Sequence, residues 1–346
     1  MKKKLLVLGI AMLLAAAPVF AWDINIDLSG LPAPLAPFKS DLEAALEAET
    51  IGDLSMPRFM TGMSNASSFA ADGATQRNFI GYRFFALGAG TMAGAQLPSS
   101  NMESAIDRLV EEGDIFAGTG IQALSVSLGV NLGFLVDRLY VSGKFGTFSM
   151  DFDDFNISTS SFGLFAHYQL IKPRSRLLAA WRGVQAGTGF IYYKSDVTFN
   201  FEAPPVESII EAGEQYVTLF FEPDLAAKFT TYGVKVPIDI MTGVRLAIFN
   251  FSLGLGADIN VTNNSSLNLS ASSLIYYEAS GSYSGSGTAG SVSISGGPSG
   301  SADRFKFKAM AGVGLSLGII RLDVPITYYF GKGIGGNVGI TGGIVF

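Results

Sequence analysis

The chain has a single histidine. His167 is the first place to look for chemistry, because a histidine beside a serine or an acid can serve as general base and general acid in hydrolysis. Its neighbours, Phe165-Ala166-His167-Tyr168-Gln169, carry none of the local signatures of such hydrolases, so His167 is read as structural or pore-lining and no catalytic residue is assigned. Asp151, Asp153, Asp154 and Asn156 are spaced like oxygen ligands for calcium. A turn glycine and a terminal bidentate acid are both missing, and no metal is assigned. Gly312-x-Gly314 and Gly331-Lys332-Gly333 look like fragments of phosphate loops, yet neither opens a helix; small pleat residues and a hairpin turn account for them. No cofactor is implied.

The remaining charges gain meaning from the strands that carry them. From Phe305 to Leu317 apolar and polar or small residues alternate strictly, the period of a strand with one greasy face. Leu322, Val324, Ile326, Tyr328 and Phe330 repeat that face, and Val338, Ile340, Gly342, Ile344 and Phe346 repeat it again. Earlier strands are predicted at 78–91, 122–132, 139–149, 157–170, 181–201, a segment ending at Val244, and 249–261. Parity changes near Ser195, which predicts a bulge or emergence from a membrane, and Pro237 and Pro325 predict further bulges.

The alternation sorts side chains into an outward apolar set and an inward set. The inward set, lining a lumen, contains Lys144, His167, Lys235, Asp239, Arg245, Asp258, Lys306, Lys308, Arg321 and Asp323. Mixed charges in a narrow enclosure must pair, since unpaired ones are costly there. The predicted fold is all-β: an antiparallel up-and-down transmembrane β-barrel of about ten strands, within a range of about 8 to 14. A secreted β-sandwich with a buried inner face is the other architecture such strands can make.

Lys2, Lys3 and Lys4 followed by an apolar run to Leu14 and by Val19-Phe20-Ala21 predict a signal peptide over 1–21. With no cysteine there are neither disulfides nor a lipid attachment site. Hydrophobic residues make up 48% of the chain without a long apolar run after Leu14, and only helices or closed barrels satisfy the backbone in lipid. The predicted organisation is a signal peptide at 1–21, an N-terminal segment at 22–77 and a barrel at 78–346.

The segment 22–77 differs from the rest. Asp23 to Leu28 alternates briefly, Pro32, Pro34 and Pro37 interrupt, and Ser40 with Glu43 makes a capping box for a short helix to Glu49. The residues from Ser55 to Gly73 are small or Met-rich. This part is either a plug inside the barrel, where Glu43, Glu47 and Glu49 would meet Lys235, Lys306 or Lys308, or a periplasmic extension. A second capping box at Ser100 and Glu103 predicts a helix to about Glu112.

Short connections near Asp137, Pro173, Leu246 and Ile320 alternate with long ones, including a Ser- and Gly-rich stretch at 280–301 read as mobile. Barrels of this kind keep short turns in the periplasm, which puts both ends of the mature chain there. Acids crowd the outer loops and disfavour nucleic acid as a partner.

The closing strands, with Phe346 last, resemble the ends of bacterial outer-membrane β-barrels, which implies that Phe346 is an assembly signal read by the barrel-assembly machinery; Thr341 stands where many such signals have glycine. If it is a plug, the N-terminal segment resembles that of outer-membrane fatty-acid transporters. The stretch Trp181-Arg182-Gly183-Val184-Gln185-Ala186-Gly187-Thr188-Gly189-Phe190, with the Lys172-Pro173 turn before it, resembles spirochaetal surface-exposed outer-membrane proteins, including a leptospiral matrix-adhesin family. The missing cysteine departs from lipidated members. Together these imply an outer-membrane location in contact with lipid, without enzymatic activity. The protein would be a narrow channel or hydrophobic-solute transporter taking a small solute, or an adhesin binding a host surface protein through its loops.

Overall fold

A computed structural model describes residues 23–38, 56–75, 81–97, 118–152, 154–176, 179–202, 206–212, 215–222, 224–281, 283–331 and 333–346. The expected helices at 40–49 and 100–112 and the signal peptide lie outside these residues. Strand β1 spans Asp23–Asp27, and a 3-10 helix follows at Ala33–Phe38. Helix α1 is Met56–Ala70. The strands after it are β2 (Phe85–Leu97), β3 (Gly118–Asn131), β4 (Leu139–Phe152), β5 (Phe155–Ile171), β6 (Arg174–Arg176) and β7 (Ala179–Glu202). Next come β8 (Val206–Ala212), β9 (Gln215–Phe221), β10 (Asp224–Leu246), β11 (Phe249–Ser280), β12 (Gly285–Gly296) and β13 (Ser299–Gly300). The last are β14 (Phe305–Leu317), β15 (Ile320–Phe330) and β16 (Ile334–Val345).

Ten of these strands close a ring. Antiparallel ladders run β2-β3-β4-β5-β7-β10-β11-β14-β15-β16, and β16 returns to β2 with Val345 opposite Ala86. Closure removes both sheet edges, which a membrane demands. The outward face is the apolar one that the alternation predicts: Leu124, Val126 and Leu128 are exposed while Ser125 and Ser127 are buried. Leu253 and Leu255 are 64% and 67% exposed, values that only lipid makes sense of on a contiguous belt. Aromatic rings mark its ends, with Phe84, Phe85 and Phe346 near the short turns and Tyr328, Phe330, Phe305 and Phe307 near the other rim.

Three strands rise far past that rim. At about 3.4 Å per residue, the 32 residues of β11 extend on the order of 100 Å, whereas the 13 of β14 end at Phe305 opposite Ile259. β7 runs straight past Ser195 in unbroken register with β5 and β10, so the parity change there is emergence, not a bulge. The stretch 280–301 is not a mobile loop: β12 turns back and pairs with β11 from Ala279–Gly285 to Leu269–Gly296. Neither proline makes a bulge. Ladders to one neighbour skip Pro237 and Pro325 without a register shift, because proline lacks the N–H. The shift nearby falls between Val234 and Lys235.

The expected location of the chain's two ends needs correcting. Strand β1 pairs with β12, Asp27 opposite Ser291, at the long-loop end. Leu28 and Leu35 are buried there in a cluster with Val217, Leu219, Ile275 and Val292. The brief alternation from Asp23 had the makings of a strand, and the extended hairpin supplied its partner. Tyr82, by contrast, packs with Tyr140, Ala86 and Val345 at the short-turn end. The chain therefore passes through the ring between residue 38 and residue 81, and only Phe346 shares the short-turn end with the start of β2.

Candidate functional site: the filled lumen

Helix α1 lies against the inward face of the ring, descending from the long-loop side. Its close approach is set by glycines on the wall. A Cβ on Gly118 would sit 1.9 Å from the backbone of Gly62, and one on Gly120 2.5 Å from that of Ser67. Small helix residues answer them: Ser64, Ala66, Ser67, Ser68 and Ala70 are all buried. Met60 packs against Ala227 and Leu267 at the upper end. Phe69 stacks on Tyr329 with centroids 3.8 Å apart.

The last carbonyls of a helix have no partner within it. Here the wall provides them. Asn337 Nδ2 donates to Phe69 O at 2.7 Å, Lys235 Nζ donates to Ser68 O, and Lys144 Nζ donates to Ala71 O and to Gly73 O. Cations at a helix C-terminus also meet the negative end of its dipole. Lys144 is completed by Gln122 Oε1 at 2.9 Å.

Just past the helix, Asp72 enters a buried ionic group. Lys235 Nζ lies 2.8 Å from Asp72 and 3.1 Å from Asp258, and Lys308 Nζ bridges the same two acids. Tyr329 OH donates to Asp72 at 3.0 Å or to Asp258 at 3.2 Å. Two lysines face two aspartates with almost no solvent access. Such a group holds together only when every member is paired, so removing Asp72 leaves the wall with an excess cation.

The other charges expected in the lumen are placed as follows. Lys306 sits higher, 2.8 Å from Asp303 and 3.3 Å from Gln96 Oε1, with its ammonium over the Phe69 ring. His167 and Asp239 are buried and approach each other across Gly187, whose absent Cβ would touch both. Arg321 donates to Ser316 Oγ, Asp323 is buried, and Arg245 stands at the short-turn mouth opposite Asn250. Glu43, Glu47 and Glu49 lie outside the described residues, and it is Asp72 that meets Lys235 and Lys308. Phe346 closes the seam: Phe84 N donates to its carbonyl at 2.7 Å, and its ring stacks on Phe85. Asp151 and Asp154 flank the tip of the β4–β5 hairpin, exposed to solvent.

A family model described as Lsa36-like matches residues 16–344. The chain belongs to the Lsa36-like family. Among curated proteins none matches. Solved structures that it resembles include the translocator domain of the autotransporter NalP from Neisseria meningitidis, at 12% identity and a TM-score of 0.30 over 82% of this chain and 99% of that one. The Ralstonia pickettii toluene transporter TbuX gives 8% identity and 0.31 over 83% and 99%, and LpxR from Salmonella typhimurium gives 9% and 0.22 over 75% and 100%. Likenesses this low establish no shared function.

Two contributors to this Lsa36-like site were not singled out from sequence. Asp72 stands in a run of small residues with nothing periodic around it. Arg182 lies outside the inward set read from the alternation, yet turns into the lumen; the one local signal is Gly183, which has a φ of +74°.

Proposed function

We propose that this chain is an integral outer-membrane β-barrel acting as a narrow channel whose lumen is plugged by its own N-terminal segment. The observation that carries this is the seat of helix α1, with Asp72 held by Lys235 and Lys308 inside a closed ring whose inner wall is lined by buried polar groups. The lysines that hold Asp72 belong to the wall itself, so the helix is fixed by groups that a channel would present to its passage.

The test is conductance in planar bilayers. Asp72→Asn, and separately removal of residues 22–77, should raise single-channel conductance while heat-modifiable barrel still forms. Conductance equal to wild type in both variants would refute the plugged channel.

A second reading, the surface adhesin, is favoured by a specific observation. The strands beyond the rim form a β-structure with its own buried cluster around Ile275 and Leu219, more ordered than an idle loop requires. Binding to a host protein that is lost when residues 206–221 and 281–298 are trimmed would support it.

A further inference from the structure

At the short-turn end of the lumen, three strands bring arginines to one level. Arg245 on β10 follows Met241 and Gly243, both buried and inward, and so faces inward by parity. Arg321 on β15 points inward to Ser316, which also accepts from Asn250. Arg182 is the informative one. The inward residues of β7 are Gly187, Ile191 and Tyr193, so an even-numbered arginine should face lipid. It does not: its Cδ lies 3.3 Å from where a Cβ on the inward Gly243 would be.

A double irregularity turns it. At Gly183 the ladder to β5 shifts between Gln169 and Ile171, and the ladder to β10 shifts between Thr242 and Val244. Bulges of this kind re-aim a side chain. The kink is held in place, with Gln169 Nε2 donating to Ile171 O, Arg182 O and Val184 O, and Thr242 Oγ1 donating to Gly183 O at 2.7 Å. Trp181 moves to the outside in exchange and donates to Thr242 Oγ1. Arg182 then feels the charges of Arg321, Asp323 and Arg245, two cations against one acid. Arg321 Nε is buried without a hydrogen-bond partner.

We infer that Arg182, Arg245 and Arg321 form an anion-binding collar at the short-turn mouth, which takes the phosphate or carboxylate group of a small soluble solute. Planar guanidinium forks match such oxyanions with paired hydrogen bonds, and rings of cationic side chains select anions in pores. Asn250 and Ser316 supply neutral contacts beside them. The collar names the solute class for the channel proposed above and in that respect rests on it; binding as such does not.

Two measurements separate the two. Inorganic pyrophosphate titrated calorimetrically into the full-length protein in detergent at low salt should bind with a stoichiometry of about one, and Arg182→Gln or Arg321→Gln should each weaken it about tenfold or more, the loss of about one charge-assisted contact. Arg321→Lys keeps the charge but loses the fork, and should retain part of the affinity. Heat-modifiable migration verifies that each variant has formed a barrel. No pyrophosphate binding to wild type, or binding unchanged in the Arg182→Gln/Arg321→Gln double variant, overturns the collar. In planar bilayers the reversal potential of the conducting Asp72→Asn protein should show preference for anions, abolished by Arg182→Gln. Pyrophosphate binding without any conductance would sink the channel reading and leave the collar standing.

Discussion

Asp72 satisfies two wall lysines at once, and its loss should be felt at both. Breaking a buried pair by removing one partner costs about 3–5 kcal/mol, but the penalty falls on the seat of α1 more than on the ring, whose ladders do not involve it. Asp72→Asn is therefore expected to leave a barrel that migrates normally yet in which the backbone amides of residues 56–75 exchange with solvent faster than in wild type. Phe346 acts differently. Its two backbone hydrogen bonds join β16 to β2 at the seam, and we propose that its main role is in assembly. Deleting Phe346 should lower the amount of heat-modifiable protein in the membrane, with the remainder as heat-resistant as wild type. Full insertion of the truncated chain would argue against that role. At this scale the sequence was a good guide to the wall and a poor one to what fills it. Lys235, Asp258 and Lys308 could be named because a strict two-residue period assigns each a face, whereas Asp72 belongs to no period.

Elements tell the same story with a physical reason attached. The ten ring strands were readable because lipid on one side and a polar interior on the other impose alternation. Helix α1 was hidden because from Met60 to Ala70 it is buried or half-buried all round, so no exposed polar face marks a helical period, and its serines, threonine, asparagine and glycine are weak helix formers. What makes it a helix is the wall, which supplies the partners of its final carbonyls and has glycines where it passes. Gly120→Val would drive a methyl into the backbone of Ser67 and should displace α1, increasing conductance without loss of the barrel. Gly143→Ala is a milder control away from the helix: the new Cβ would meet the end of the flexible Leu164 side chain at 3.3 Å and Gly163 O at 3.7 Å. Equal behaviour of the two variants would mean that the helix does not depend on this contact. Strand β12 was missed for the opposite reason. Serine and glycine have low strand propensity, but pairing with β11 on one side and β1 on the other outweighs composition.

For the whole molecule, the decisive observation is that residues 23–38 and the start of β2 occupy opposite ends of the ring. We propose that the long-loop end faces outward, in line with the short turns expected in the periplasm. Single cysteines at Ser29, Glu222 or Ser286 should then react with an impermeant maleimide on intact cells, while one at Pro173 should not. Labelling at Pro173 but not at Glu222 would invert the orientation, and protection of Ser29 alone would show that β1 does not reach the outer side.

The pairing of β1 with β12 also makes the molecule resemble an axle threaded through a wheel, with a stopper at each end. On one side the stopper is the cluster around Leu28 and Leu35; on the other it is β2, which is part of the wheel itself. An axle so fixed cannot be withdrawn in either direction while both the cluster and the β2–β16 seam persist. Whatever opens the passage must therefore do so with α1 still inside, by a shift or tilt against its glycine-lined track, and the seam must close around the N-terminal segment, since a finished ring would leave no route for it to enter sideways.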